Sequence, residues 1–183
     1  MVLVEITPAS HSLTLDLAYA TARNFTGAPI YRRAVCYLNP DAARLLARAV
    51  ELAAALGLSL KIFDAYRPTE AQWHMWSHTP DPEFLADPRR GSPHSRGVAL
   101  DLTVVDDHGD ELEMGTGFDA FTPRSHHGDT LVSREAQRNR HLLLGIMSAA
   151  GWDSYENEWW HYQLFNARRY PLISDRALQQ SMM

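Results

Sequence analysis

The sequence predicts an α+β fold in a single domain, with a central antiparallel sheet flanked by helices. Three observations carry that expectation. Helical and strand patterns alternate irregularly along the 183 residues, and no composition shift marks a linker. At least one strand pair reads as a hairpin, a connection that joins antiparallel neighbours. The length suits one domain, or two small ones at most, and a chain of this size buries roughly 70% of the surface it exposes when unfolded.

Residues 1 to 38 read as irregular with short apolar bursts. Asn39 then caps a helix with Pro40 at its first position, and DAARLLARAVELAAAL runs to Gly57 as a stop. Leu45, Leu46, Ala49, Leu52, Ala53 and Leu56 form its apolar face. LSLKIFD, 58 to 64, reads as a strand closed by DAYRP, and Thr69 opens the helix TEAQWHMWSH. Pro80, Pro82, Pro88 and Pro93 make 79 to 93 a loop. GVALDLTVVD, 97 to 106, is the strongest strand pattern, with Val98, Leu100, Leu102 and Val104 on one face and Ala99, Asp101 and Thr103 on the other. DHGD turns it into a hairpin that returns through ELEMG. After a polar loop over 115 to 131, Ser133 caps the helix REAQRNRHLLLGIMSAA, which stops at Gly151, and NEWWHYQLF reads as a last strand.

Composition excludes some functions. Net charge is −5, with 17 basic against 22 acidic residues, and the basic ones do not cluster, so neither nucleic acid nor an anionic membrane surface is expected as a partner. Cys36 is the single cysteine, which leaves no internal disulfide and no cysteine zinc site. It sits in the apolar VCYL and is expected to be buried. Glu5, Pro8 and His11 interrupt the N-terminal stretch, which does not read as a signal peptide, and a cytoplasmic protein is expected. The oligomeric state stays open, homo-oligomers included.

Two stretches can carry chemistry. In SPHSRGVALD, His94 and Asp101 lie seven positions apart, which spans about 23 Å on a straight strand and about 10 Å on a helix. The two meet on one ion only if the chain curls, and Pro93 and Gly97 suit that bend. In ENEWWHYQLF, His161 is a third candidate ligand. Glu158, three residues earlier, shares a site with it only from the strand's entry, where it can act on a water beside the metal. His94, Asp101 and His161 form a His2Asp set that leaves a fourth position on zinc for water. A solvated loop histidine, a polar-face aspartate and a packed core histidine are the ordinary alternatives. No H-E-x-x-H, G-x-S-x-G or Walker-type loop competes. Of the other histidines, only the pair His126 and His127 merits a check for metal.

These residues resemble a known family. SPHSRGVALD fits S-x-H-x-x-G-x-A-x-D, EWWH fits an E-x-W-H-type motif, and DAYRP (Asp64 to Pro68) fits the segment before the first motif in D-alanyl-D-alanine dipeptidases. The likeness runs from about Tyr19 to Phe165. The wider zinc peptidase group includes D-Ala-D-Ala carboxypeptidases and the hedgehog domain, and the resemblance implies their fold. It also implies one Zn2+ per chain on His94, Asp101 and His161, with Glu158 as catalytic base and Arg67 as transition-state partner. A fixed guanidinium suits that last role, while a salt bridge to Asp64 is its structural alternative. Asp119 is implied to bind the ammonium of a small dipeptide substrate, with Ser92 and Tyr19 as further pocket groups. The expected activity is hydrolysis of D-Ala-D-Ala. Alternatives are a D,D-carboxypeptidase or endopeptidase on longer cell-wall peptides, and a non-catalytic zinc-stabilised binding module.

Overall fold

The structure, a computed structural model, describes residues 3–183; residues 1 and 2, the start of the stretch read as irregular, lie outside the described residues. In chain order the elements are β1 (Val4–Ile6), α1 (Pro8–His11), β2 (Thr14–Leu15), β3 (Cys36–Leu38), α2 (Pro40–Ala54), β4 (Ser59–Asp64), α3 (Thr69–His78), β5 (Ala99–Val105), α4 (Arg134–Ala150), β6 (Asp153–Ser154) and β7 (His161–Gln163). The α+β expectation holds. The sheet has five strands in the order β2-β4-β5-β7-β6, and a separate antiparallel pair joins β1 to β3.

The sheet is not wholly antiparallel as expected. β2 pairs parallel with β4, and the chain between them passes through β3 and α2, the long crossover that parallel neighbours require. The turn after β5 forms as read, with Asp106 N donating to Asp110 O at 3.0 Å. Its return is a single bridge, Val105 to Glu111, and β5 finds its ladders with β4 and β7 instead. The last strand is shorter than expected, because Trp159 and Trp160 still belong to a turn.

The helices start where their caps place them. Asn39 accepts from Asp41 N, and Ser133 accepts from Ala136 N. Leu46, Ala49 and Ala53 of α2 and Leu143 and Met147 of α4 pack with Leu60, Ile62, Leu100, Leu102 and Val104 of β4 and β5. Truncating such a leucine to alanine costs about 2–5 kcal/mol. Leu56, placed on that face by periodicity, is exposed because α2 ends at Ala54. β5 is buried along its whole length, the face carrying Asp101 included.

Candidate metal centre and active site

Strand register brings the first residues together. Asp101 on β5 lies opposite Asp64 at the end of β4 and opposite His161 at the start of β7. Three polar residues therefore cross three neighbouring strands in one row, close enough for cross-strand contact. His94 reaches the row from a single helical turn, His94–Arg96, that ends at Gly97 with φ 67°. A Cβ at Gly97 would lie 2.9 Å from Leu3 Cδ2 and 3.2 Å from Asn39 N, so both conformation and space call for glycine. This is the bend the spacing required.

The ligand atoms form a small triangle. His94 Nε2 lies 3.1 Å from His161 Nδ1 and 3.3 Å from Asp101 Oδ1, and His161 Nδ1 lies 3.1 Å from Asp101 Oδ1. A tetrahedral zinc with ligands at about 2.0–2.1 Å has ligand separations of about 3.3 Å. The outer ring atoms are also engaged. His94 Nδ1 donates to Ala65 O at 2.7 Å, and His161 Nε2 pairs with Gln163 Oε1 at 3.1 Å. Each outer contact turns the other nitrogen's lone pair inward, the usual arrangement around a ligated imidazole. Two lone pairs and a carboxylate converging in a buried site fit a divalent cation. Burial alone would raise the Asp101 carboxyl, but His94 and His161 beside it more than offset this and hold it well below the usual range. Among the described residues this is the group of three that could hold a metal; His126 and His127 join none.

Glu158 and Arg67 flank the triangle. Glu158 sits in the turn before β7, with Oε2 3.9 Å from His161 Nδ1, and burial pushes its carboxyl up to about 8. Arg67 is buried and does what its structural alternative required, its Nε donating to Asp64 Oδ2 at 2.9 Å. It also faces the centre, with Nη2 3.6 Å from Asp101 Oδ2 and the guanidinium 5.0 Å above the Tyr19 ring. Asp64 is further held by Tyr31, whose hydroxyl donates at 2.9 Å.

A cavity of about 220 Å³ opens on these groups, and Tyr19, Arg67, Ser92, His94, Asp101, Asp119, Glu158 and His161 all line it. It is smaller than the roughly 300–1,000 Å³ of drug-sized sites, as a very small ligand requires. Tyr19 OH donates to both Asp119 oxygens, at 3.0 and 2.9 Å, and burial pushes the Asp119 carboxyl up to about 7. Asp119 has φ 59°, a left-handed conformation that aspartate adopts more readily than most residues. Ser92 Oγ accepts from His94 N at 3.2 Å, so it braces the ligand turn as well as lining the cavity.

The far wall of the cavity carries no signal in the sequence. Pro82 to Ala86, from the proline-rich loop, close one side, with Tyr155 and Trp160 beside them. No periodicity signals this segment; Phe84 stacks on Phe121 at 5.1 Å, and Tyr155 OH donates to Glu83 O at 3.1 Å. Gln72 and Gln163, which hold Arg67 and His161, were also unmarked. Cys36 is buried as expected, and burial pushes its thiol far from the reactive range.

A family model described as D-ala-D-ala dipeptidase matches residues 2–180. The chain is 45% identical over 174 residues to a D-alanyl-D-alanine dipeptidase of Escherichia coli, covering 95% of this chain and 90% of that protein. A D-alanyl-D-alanine dipeptidase of Enterococcus faecium is 35% identical, covering 84% of this chain and 87% of that protein, and one of Streptomyces coelicolor is 36% identical, covering 81% and 84%. A solved structure of a vancomycin resistance D,D-pentapeptidase in complex with Zn(II) superposes with a TM-score of 0.47 at 16% identity, over 91% of this chain and 88% of that one.

Proposed function

The chain belongs to the D-Ala-D-Ala dipeptidase family of peptidases, and from that membership we propose that it hydrolyses the dipeptide D-Ala-D-Ala to two D-alanines as one domain spanning residues 1–183. The observation that carries the reading is the His94, Asp101 and His161 triangle at zinc-ligand separations, with a buried carboxylate beside it. One zinc per chain is held there by those three residues. When bound, the metal acts as a Lewis acid toward the scissile carbonyl and makes water more acidic.

The chain's own groups do the rest. Glu158 takes the proton of the attacking water and delivers it to the leaving amine. Burial favours its neutral form, and a cation in the triangle favours the carboxylate that can accept a proton. Arg67, fixed by Asp64, donates to the oxyanion that develops on the carbonyl. Asp119, oriented by the Tyr19 hydroxyl, receives the substrate ammonium, and Ser92 offers a further polar contact in the pocket. A cavity of about 220 Å³ with charged groups on its wall suits a dipeptide better than a long peptide.

No helix among the described residues is long and apolar enough to cross a membrane, and we place the reaction in the cytoplasm. The test offers purified, zinc-loaded protein D-Ala-D-Ala, L-Ala-L-Ala and a longer peptide ending in D-Ala-D-Ala. Rapid release of D-alanine from the first alone is expected. Preferred cleavage of the longer peptide would mark a carboxypeptidase or endopeptidase, and no cleavage of any would mark a binding module.

A further inference from the structure

Gln72 lies in the first turns of α3 and is only 1% exposed, yet its side chain serves no helix cap. Its Oε1 accepts from Arg67 Nη1 at 3.1 Å, and its Nε2 donates to Ala86 O at 2.7 Å. A guanidinium only donates and a carbonyl only accepts, so one orientation of the amide satisfies both. Arg67 is thereby hydrogen-bonded twice, at Nε by Asp64 and at Nη1 by Gln72, while its Nη2 makes the longer 3.6 Å ion-pair contact with Asp101. A single hydrogen bond at Nε leaves the planar guanidinium free to tilt about that contact, whereas a second one at Nη1 fixes its plane and further slows the exchange of Nη1 and Nη2 about the Nε–Cζ bond. Ala86 belongs to the far wall of the cavity, so the same amide joins that wall to the arginine.

We propose that Gln72 is a positioning residue: it fixes the guanidinium plane of Arg67 and ties it to the Pro82 to Ala86 wall, so that oxyanion donor and cavity wall are held as one unit. Its effect on turnover rests on the dipeptidase reading above; its geometry does not. Gln72→Met keeps the length of the side chain and removes both polar ends. It is expected to lower kcat about 10- to 100-fold with KM within about twofold, the pattern of a misplaced transition-state group. In an Arg67→Ala background the same change should alter kcat by less than about twofold, because the group it positions is gone. Equal losses in both backgrounds would mean simple packing and overturn the proposal.

A second measurement does not depend on turnover. In zinc-loaded wild-type protein, the Arg67 Nη protons should give separate NMR signals because rotation about Nε–Cζ is hindered. In Gln72→Met these signals should merge while the Nε–H signal, held by Asp64, persists. Separate Nη signals in a folded Gln72→Met protein would overturn the proposal. Gln72→Glu keeps an acceptor for Arg67 and loses the donor to Ala86 O, so its Nη signals should stay separate, and merged signals there would equally overturn it. If the wild type failed to cleave D-Ala-D-Ala, the dipeptidase reading would fall while the NMR comparison still decided the role of Gln72.

Discussion

His94 Nε2 and His161 Nδ1 face each other at 3.1 Å, and the outer nitrogen of each ring is already engaged, by Ala65 O and by Gln163. Two neutral rings so arranged present lone pair to lone pair, with the Asp101 carboxylate closing the third side. A cation relieves that arrangement, and it ties β5, β7 and the turn before β5 to one point.

Zinc should therefore stabilise the fold. At a free concentration one hundred times its dissociation constant, a ligand that binds only the native state adds about 2.7 kcal/mol. For a chain of this length that is roughly 5–11 °C in Tm. Calorimetry of stripped protein with and without added zinc checks this; a transition that zinc does not move would argue against the site.

Glu158 and His161 should separate cleanly by substitution. Glu158→Gln is expected to retain one zinc per chain by elemental analysis while losing at least about 10²-fold in kcat, as removal of a general base does. His161→Ala is expected to lose the metal itself. Normal zinc content in His161→Ala, or near-normal turnover in Glu158→Gln, would refute the division of labour between ligand and base.

Arg67 carries two loads that a paired substitution can divide. Arg67→Leu leaves Asp64 buried without its cation, which should cost about 3–5 kcal/mol of stability and about 10²- to 10³-fold in rate. Arg67→Leu combined with Asp64→Asn should recover most of the stability and none of the rate. Recovery of rate in the double variant would show that the guanidinium acts only as a salt-bridge partner.

Much of this site was legible in the chain because its signals are local. Asn39 and Ser133 announce their helices, the alternation in VALDLTVV announces β5, and Gly97 marks the bend beside His94. What stayed hidden depends on partners distant in sequence. β1 and β3 are three residues each and stabilise one another across some thirty positions, so neither carries a pattern of its own. The surroundings of Asp101 stayed hidden because nothing near it in sequence reveals that Asp64 and His161 stand beside it on the neighbouring strands. The wall from Pro82 to Ala86 is irregular backbone, fixed by Gln72, Phe121 and Tyr155.

The substrate's ammonium should be required. Asp119, held by the Tyr19 hydroxyl, is a buried carboxylate on the cavity wall with no role as ligand or base, and a buried charge without its partner costs about 1–3 kcal/mol or more. N-acetyl-D-Ala-D-Ala should therefore be cleaved at least about tenfold less efficiently than the free dipeptide, with the larger part of that gap disappearing in Asp119→Asn. Equal cleavage of both dipeptides by the wild type would remove Asp119 from recognition.

His127 gives a pH effect that is independent of the metal. Burial, reinforced by Arg140 and His141, lowers this imidazole from 6.5 to about 4. The folded state therefore prefers the neutral ring, and the unfolded chain binds the extra proton between those values. Its contribution is fully present above about pH 6.5 and is lost as pH falls toward 4. The ring lies against Tyr162 at 6.2 Å, so His127→Phe can occupy its place. Between pH 7 and 4.5 the variant's Tm should fall less steeply than the wild type's; parallel curves would show that His127 does not set the slope.

The most direct measurement follows D-alanine release from D-Ala-D-Ala by protein stripped with a chelator and then titrated with zinc. Stripped protein should release none, and activity should rise to a plateau at one zinc per chain in the wild type but stay flat in His161→Ala. Full turnover by stripped protein, or restoration by zinc in His161→Ala equal to that of the wild type, would contradict a dipeptidase centre built on His94, Asp101 and His161.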